Sequence, residues 1–245
     1  MSSSLHDRAV DELGRRIVAG ELAPGSTVLA TDLAAELEVS RSVIREAVRV
    51  LQSLGLLRSV RRLGIRVQPE DNWNVLDPQI IAWRLSGSGR GAQLRSLTEL
   101  RRSVEPAAAE LAARHAPDPE AERLLRIAAS MRSIGRAGDL ESFQELDIEF
   151  HSLVLAASGN EMFAAMSDMI GAVLRGRTRL GLMPKHPHED ALQLHIDVAD
   201  AIQGRDPARA RDAMERIMTR TLAEVEHIWA EEPRTVRSPT RADLG

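Results

Sequence analysis

The chain has 245 residues, 43% of them hydrophobic and 28% charged, with a formal net charge of −4. Those proportions suit a globular protein long enough for two domains, each with its own core, and the acidic balance excludes a uniformly basic nucleic-acid coat while permitting a local basic surface. The absence of cysteine excludes disulfides, thiolate catalysis and zinc ribbons. No stretch approaches ~20 consecutive apolar residues, and Met1 to Leu5 is not a basic region followed by an apolar run, so neither a membrane span nor a signal peptide is expected and the cytoplasm is the expected compartment.

Asp7 to Ala19 reads as a helix with Ala9, Val10, Leu13, Ile17 and Val18 on one side, stopped by Gly20 and Pro24-Gly25. Thr31 is expected to cap a short helix running through Glu36, and Glu38-Val39 to form a turn. Ser40 caps the next helix, which runs to about Leu54 with Ile44, Ala47, Val48 and Leu51 inward and ends at Gly55. Residues 56–68 read as two short strands around Arg61-Arg62-Leu63-Gly64. Three helices followed by a hairpin make a winged helix-turn-helix over residues 1–68.

The helix opened by Ser40 carries Arg41, Arg45 and Arg49 at steps of four. Taken alone, that pattern is most simply a solvated face. From Arg41 to Arg66, however, seven arginines are opposed by Glu46 alone, and a short helix and a turn stand before Ser40. In that company the helix reads as a recognition helix for the major groove of double-stranded DNA. Its N-terminal N–H groups favour phosphate, and the Arg-rich hairpin becomes a wing against the backbone or minor groove.

Residues 69–93 form a connector whose content, from Trp73 to Trp83, is too apolar for a free linker, and a docked helix is expected after Pro78. From residue 94 to 231 nearly every segment has helical period. Breaks at Pro117–Pro119, Gly135–Gly138, Ser158–Asn160, Met183–His188 and Gly204–Pro207 divide it into roughly six helices, the pattern of an all-helical antiparallel bundle. The tail, 232–245, is polar and expected to be disordered. The fold class is therefore mostly α: a winged domain followed by a helical bundle.

Polar residues stand on apolar faces within this bundle. Asp147 and His151 lie one turn apart beside the stripe Phe143, Leu146, Phe150, Leu153 and Val154, and His195 is flanked by Val198, Ala199 and Ile202. The set is either a divalent-metal site or a buried Asp–His hydrogen bond, because an unpaired carboxylate on an apolar face is costly. Arg101 and Arg177 fall on apolar stripes in the same way, which demands either a protein carboxylate such as Glu105 or an anionic ligand. Met162, Met166 and Met169 read as core or dimer packing, Trp229 as packed on the bundle, and His186 and His188 as solvated loop residues.

The run Ile17, Gly20, Leu22, Pro24-Gly25, Leu33-Ala34, Val39-Ser40-Arg41, Val43, Arg45-Glu46-Ala47, Leu51, Gly55-Leu56, Gly64 and Val67 resembles the GntR family of bacterial transcription regulators. The resemblance implies that Ser40, Arg41, Ser42 and Arg45 contact the operator and that Gly64 approaches a base or phosphate. Arg49 on the same helix and Arg62 in the wing join the candidate DNA contacts. Thr31 stands where relatives often carry a DNA-contacting arginine.

The bundle resembles the FCD effector domain of the FadR branch, through Glu99, Arg101, Glu105, Ala109, Asp147, Phe150-His151, Ser158-Gly159-Asn160, His195, Ala201-Ile202, Asp206, Ala210 and Met214. This implies a divalent cation, zinc or similar, held by one Asp and three His. Asp147, His151 and His195 match three of those positions, and the fourth falls near Ile217. The open position would suit water or oxygens of the effector. The connector resembles that of sugar-acid-responsive members, so the expected effector is an aldonate such as gluconate or galactonate, with Arg101 and Arg177 as its binding residues. A different effector, a dicarboxylate, an amino acid or an acyl-CoA, is the alternative. A homodimeric, non-enzymatic repressor is expected: a single winged domain covers only a half-site, and no general acid or base stands beside the candidate ligands.

Overall fold

The computed structural model describes residues 4–230 and Arg234, and the described chain divides into two compact units, one up to Arg90 and one over Gly91–Ala230. The predicted disordered tail, apart from Arg234, lies outside the described residues.

The first unit opens with α1 (Leu5–Val18), two residues earlier than the apolar period suggested. Ser4 sets this start through a capping box, its hydroxyl accepting from the Asp7 N–H while the Asp7 carboxylate accepts from the Ser4 N–H. A two-residue strand, β1 (Thr27–Val28), precedes α2 (Ala30–Glu36). The expected cap at Thr31 is not formed. Pairing of Thr27 and Val28 with Arg66 and Ile65 fixes the chain just upstream, so the helix begins after Leu29, and the Thr31 hydroxyl donates instead to Asp32. Helix α3 (Arg41–Ser53) does begin at Ser40, whose Oγ accepts from the Val43 N–H at 3.3 Å.

The wing strands β2 (Leu57–Val60) and β3 (Gly64–Val67) pair antiparallel, and β3 lies between β1 and β2. The turn itself is carried by Arg62 at φ 65°. Gly64 begins β3 at φ 108°, where a Cβ would stand 2.7 Å from the Val28 carbonyl oxygen, so β1 can approach the wing only because that residue has no side chain. Leu13, Ile17, Ile44, Ala47, Leu51, Leu56 and Val67 fill the core, and each large apolar side chain buried this completely contributes about 1.5–3 kcal/mol.

The connector helix is present as α4 (Pro78–Ser86), with Pro78 in the first turn and Asp77 as N-cap. It packs on α1 through a specific seat. The Trp83 ring lies against Gly14, where a Cβ would be only 2.3 Å from the ring, and its Nε1–H donates to Asp11 at 2.8 Å. Trp73 and Ile80 join the same core, so residues of the connector are built into the DNA-binding unit.

The second unit is all helix: α5 (Arg90–His115), α6 (Asp118–Ala137), α7 (Leu140–Ala157), a short α8 (Glu161–Ala164), α9 (Ser167–Arg179), α10 (Glu189–Gln203) and α11 (Pro207–Val225). The stops follow local chemistry. Gly138 ends α6 in the left-handed region, Asp139, Asn160 and Asp206 cap α7, α8 and α11, and Pro207 opens α11. Phe150, Val154, Ile170, Val198, Ile202 and Met214 form the apolar interior. Met169 belongs to it, Met166 is half-buried, and Met162 is 65% exposed, contrary to a core role. The reason is that α8 and α9 are separate helices, so Met162 does not continue the α9 stripe. Trp229 is buried as expected.

Candidate functional site

On the first unit the candidate interface is a set of exposed cations on a rigid apolar base. Ser40, Arg41, Ser42, Arg45 and Arg49 are all exposed along one face of α3, while Ile44, Ala47, Val48 and Leu51 bury the opposite face. The Ser40 and Ser42 hydroxyls share a 2.8 Å hydrogen bond, which orders the helix entrance. Arg49 is held by Glu46 at 2.8 Å, whereas Arg41 and Arg45 project from the N-terminal half of the helix, nearest its positive dipole end.

The wing presents Arg58, Arg61, Arg62 and Arg66, all exposed, with Arg58 and Arg66 directly paired across the strands. Gln52 of α3 donates to Ser59 of β2 at 2.8 Å and fixes the wing against the helix. Like charges paired across a ladder are unfavourable in isolation. Their retention on one surface is a feature that an anionic partner relieves, and Arg58, Arg61 and Arg66 rim a concavity beside Gly25. Gly64 is half-buried against β1, so its part is to permit this close packing.

The second unit places its charges inside. Asp147, His151 and His195 come together from α7 and α10, with one possible ligand atom of each lying within 4.8 Å of the others. His151 Nε2 is 3.4 Å and His195 Nε2 3.3 Å from the same Asp147 Oδ1. His195 Nδ1 lies 2.9 Å from the Ala191 carbonyl oxygen, which can only accept, so Nδ1 carries a proton and Nε2 is the nitrogen that faces Asp147. That buried Nε2 has no hydrogen-bond partner.

Glu105 of α5 forms the floor of this cluster. It is 1% exposed and accepts from Arg101 Nε at 2.5 Å, while its other oxygen lies 2.5 Å from His151 Nδ1. Burial alone would raise the Glu105 carboxyl, but Arg101 and His151 bring it down to about 2. Burial likewise works against the His151 charge, yet Glu105 and Asp147 lift that imidazole to about 9. Asp147 is held well below the usual carboxylate range by His151 and His195, against its burial.

Arg101 thus has the protein carboxylate the sequence allowed for. The pairing leaves Arg101 Nη1 buried without a partner. Arg177 of α9 is also buried. It donates to Glu224 at 3.0 Å and leaves Nε unpartnered. Burial, followed by the like charge of Arg101, disfavours the Arg177 cation, and Asp147 and Glu224 oppose that.

Arg101, Asp147, His151, Arg177 and His195 all line one cavity of about 60 Å³. Ile217 lines it as well, at the position expected for a fourth ligand and with an aliphatic side chain. The volume accommodates a few waters or the head of a small anion, given that about 10–15 Å³ holds one water by the same measure. Met183, Pro184, Pro187 and His188 of the α9–α10 loop cover it, and Arg220 and Glu224 of α11 stand at its edge. His188 therefore borders the cavity while remaining exposed, and His186 packs instead against Gly138. Arg220 and Glu224 carried no signal in the sequence, because charged residues on a terminal amphipathic helix ordinarily face solvent.

Two buried imidazoles presenting the same nitrogen to one depressed carboxylate suit a divalent cation of the zinc type, as the unpartnered His195 Nε2 also indicates. Asp147, His151 and His195 would hold it, and it would supply a positive centre for an anionic ligand's oxygens.

A winged helix-turn-helix joined to a helical domain with a buried polar cavity defines a ligand-responsive DNA-binding regulator. Residues 5–67 match the profile of the bacterial regulatory proteins of the gntR family, and residues 96–220 match that of the FCD domain. The chain belongs to the GntR family of transcription regulators and carries an FCD effector domain. It is 33% identical over 233 residues to the galactonate operon transcriptional repressor of Escherichia coli (strain K12), covering 92% of this chain and all of that one. It is 26% identical over 215 residues to the probable D-xylose utilization operon transcriptional repressor of Paenarthrobacter nicotinovorans, covering 87% of this chain and 84% of that one. The solved structure of Listeria monocytogenes Lar superposes with a TM-score of 0.56 at 16% identity, over 93% of this chain and 99% of that chain, a likeness of fold.

Proposed function

We propose that the chain is a non-enzymatic cytoplasmic repressor whose operator affinity is controlled by a sugar acid, an aldonate such as galactonate or gluconate, bound with a divalent cation in the α5–α11 unit. The observation that carries this reading is the set of unsatisfied buried groups on residues lining one cavity, Arg101 Nη1 and His195 Nε2 foremost, with Arg177 Nε and His151 Nδ1 beside them. A buried donor or acceptor without a partner costs roughly 1–3 kcal/mol, and a carboxylate together with a cation satisfies the foremost two at once. The aliphatic Ile217 limits the protein to three ligands and favours a chelating carboxylate with an adjacent hydroxyl to complete the shell. The overall likeness to the galactonate operon repressor supports an aldonate over other hydroxy acids.

On the DNA side, Arg41 and Arg45 read base edges, with Ser40, Ser42, Arg49 and the wing residues Arg62 and Gly64 positioning the backbone. A homodimer supplies two such helices to a two-fold operator. Effector binding shifts the population between arrangements that do and do not fit the half-site spacing.

The test is a thermal-shift and calorimetric screen of D-galactonate, D-gluconate, a dicarboxylate, an amino acid and an acyl-CoA, each with zinc and with chelator. An aldonate that binds in a zinc-dependent manner supports the proposal. Tight binding of an acyl-CoA with no sugar acid bound overturns it.

A further inference from the structure

The cavity has two functional halves, an arginine for an anion and a Asp147–His151–His195 set for a cation, and a single side chain touches both. Glu105 accepts from Arg101 through Nε at 2.5 Å and Nη2 at 3.4 Å, and its Oε2 lies 2.5 Å from His151 Nδ1. All three groups are at most 2% exposed, so no water competes for these contacts. Two geometric consequences follow. Engaging Nε and Nη2 turns the guanidinium so that Nη1 is the one edge without a protein partner. The close approach of Glu105 Oε2 to His151 Nδ1, which makes no aligned hydrogen bond, occupies that side of the ring and leaves Nε2 as the nitrogen facing Asp147.

We infer that Glu105 is a shared positioning carboxylate that orients Arg101 for the effector carboxylate and His151 for the cation, and so links the two binding events. The inference rests on the carboxylate-and-cation reading above and extends it to a residue outside the candidate ligand sets. Glu105 does not touch the ligand. It acts through the two side chains that do.

His195 provides the internal contrast. Its Nδ1 proton goes to the Ala191 carbonyl on its own helix, so its orientation is independent of the anion half. Glu105, by contrast, couples the halves, because a carboxylate at Arg101 Nη1 and a cation at His151 Nε2 both bear on the one side chain that touches Arg101 and His151. Linkage makes the effect reciprocal: whatever factor zinc contributes to galactonate affinity, galactonate contributes to zinc affinity.

The experiment is calorimetric titration of the full chain and of Glu105→Gln with zinc alone, D-galactonate alone, and each in the presence of the other. Glutamine keeps the shape and one acceptor oxygen while removing the charge that both partners share. In the parent chain, zinc and galactonate each strengthen the other. In Glu105→Gln, zinc affinity falls by about 10–100-fold, the usual cost of losing an outer-shell partner, and the factor by which zinc strengthens galactonate falls toward one. A folded Glu105→Gln chain with zinc affinity and mutual strengthening equal to the parent overturns the inference while leaving the cation-and-carboxylate reading intact. A parent chain that binds neither probe overturns both.

Should Glu105→Gln fail to fold, nitrogen-15 spectra of the imidazoles in the zinc-loaded parent decide the point. The inference requires the His151 proton on Nδ1 and zinc contact at Nε2. Zinc contact at Nδ1 contradicts it.

Discussion

The two units of this molecule use charge in opposite ways. In the winged unit, Arg41, Arg45, Arg58, Arg61, Arg62 and Arg66 are exposed over a core of apolar side chains, and removing any one leaves the interior unchanged. In the helical unit, Arg101, Glu105, Asp147, His151, Arg177 and His195 are interior, each within 9% exposure. The first arrangement suits a large polyanion that brings its own surface and reads a pattern. The second suits a small ligand that must be enclosed before its charge can be matched. The same residue types are therefore displayed on a surface in one unit and balanced against one another inside the other, and mutations should separate the two.

The largest expected effect lies in the interior. Arg101→Ala leaves Glu105 as a buried carboxylate with only His151 beside it, and breaking a buried pair on one side costs about 3–5 kcal/mol. Denaturant unfolding of the helical unit should register this in full. If the loss is under about 1 kcal/mol, the interior charges are not a packed network and the contrast fails.

Next in size is the seat of α4. Gly14→Ala would put a methyl group 2.3 Å from the Trp83 ring, and overpacking of this kind costs about 1–3 kcal/mol. Thermal unfolding monitored by tryptophan fluorescence should show the winged unit melting earlier.

Arg41→Ala and Arg45→Ala should each weaken operator binding by about 1–3 kcal/mol at fixed salt while leaving the unfolding midpoint of the winged unit in place, because both side chains are exposed. Unchanged operator affinity would remove α3 as the recognition helix. Arg49→Ala should have a smaller effect on the operator and a stability change within about 1 kcal/mol, since its exposed pairing with Glu46 contributes little.

The interior also predicts a pH response. With the cation chelated, His151 is raised from 6.5 to about 9, so the stability it contributes is complete below pH 6.5 and is lost as pH rises through 9. Glu105 is lowered from 4.5 to about 2, so its contribution is complete above pH 4.5 and is lost as pH falls through 2. The helical unit should therefore be most stable between pH 4.5 and 6.5, which differential scanning calorimetry across pH checks.

Legibility in the sequence divides along the same line. The α3 surface was readable because a cap, an apolar period and a charge period are all local, and Ser40, Ile44 and Arg45 sit as those periods require. The strand β1 was not, since two residues carry no period and its existence depends on Arg66 and Ile65 far along the chain. The misplaced cap at Thr31 follows from that omission. Asp147, His151 and His195 were legible as polar residues on apolar faces. The contact of Glu105 with His151 was not, because it joins α5 to α7 and no spacing encodes it. The Trp83 seat on Gly14 was visible only as unexplained aromatic content in the connector. Local rules thus recover surfaces and faces, and the pairings between faces require the fold.

The most direct test of the central claim is the affinity of the chain for its operator, selected from random DNA by the protein itself, measured by fluorescence anisotropy at fixed salt while D-galactonate is titrated in the presence of zinc. The account predicts that galactonate weakens DNA binding at least about tenfold, a shift of about 1.4 kcal/mol, and that Asp147→Asn abolishes the response. An operator affinity that no sugar acid alters, or a response that persists undiminished in Asp147→Asn, would contradict it.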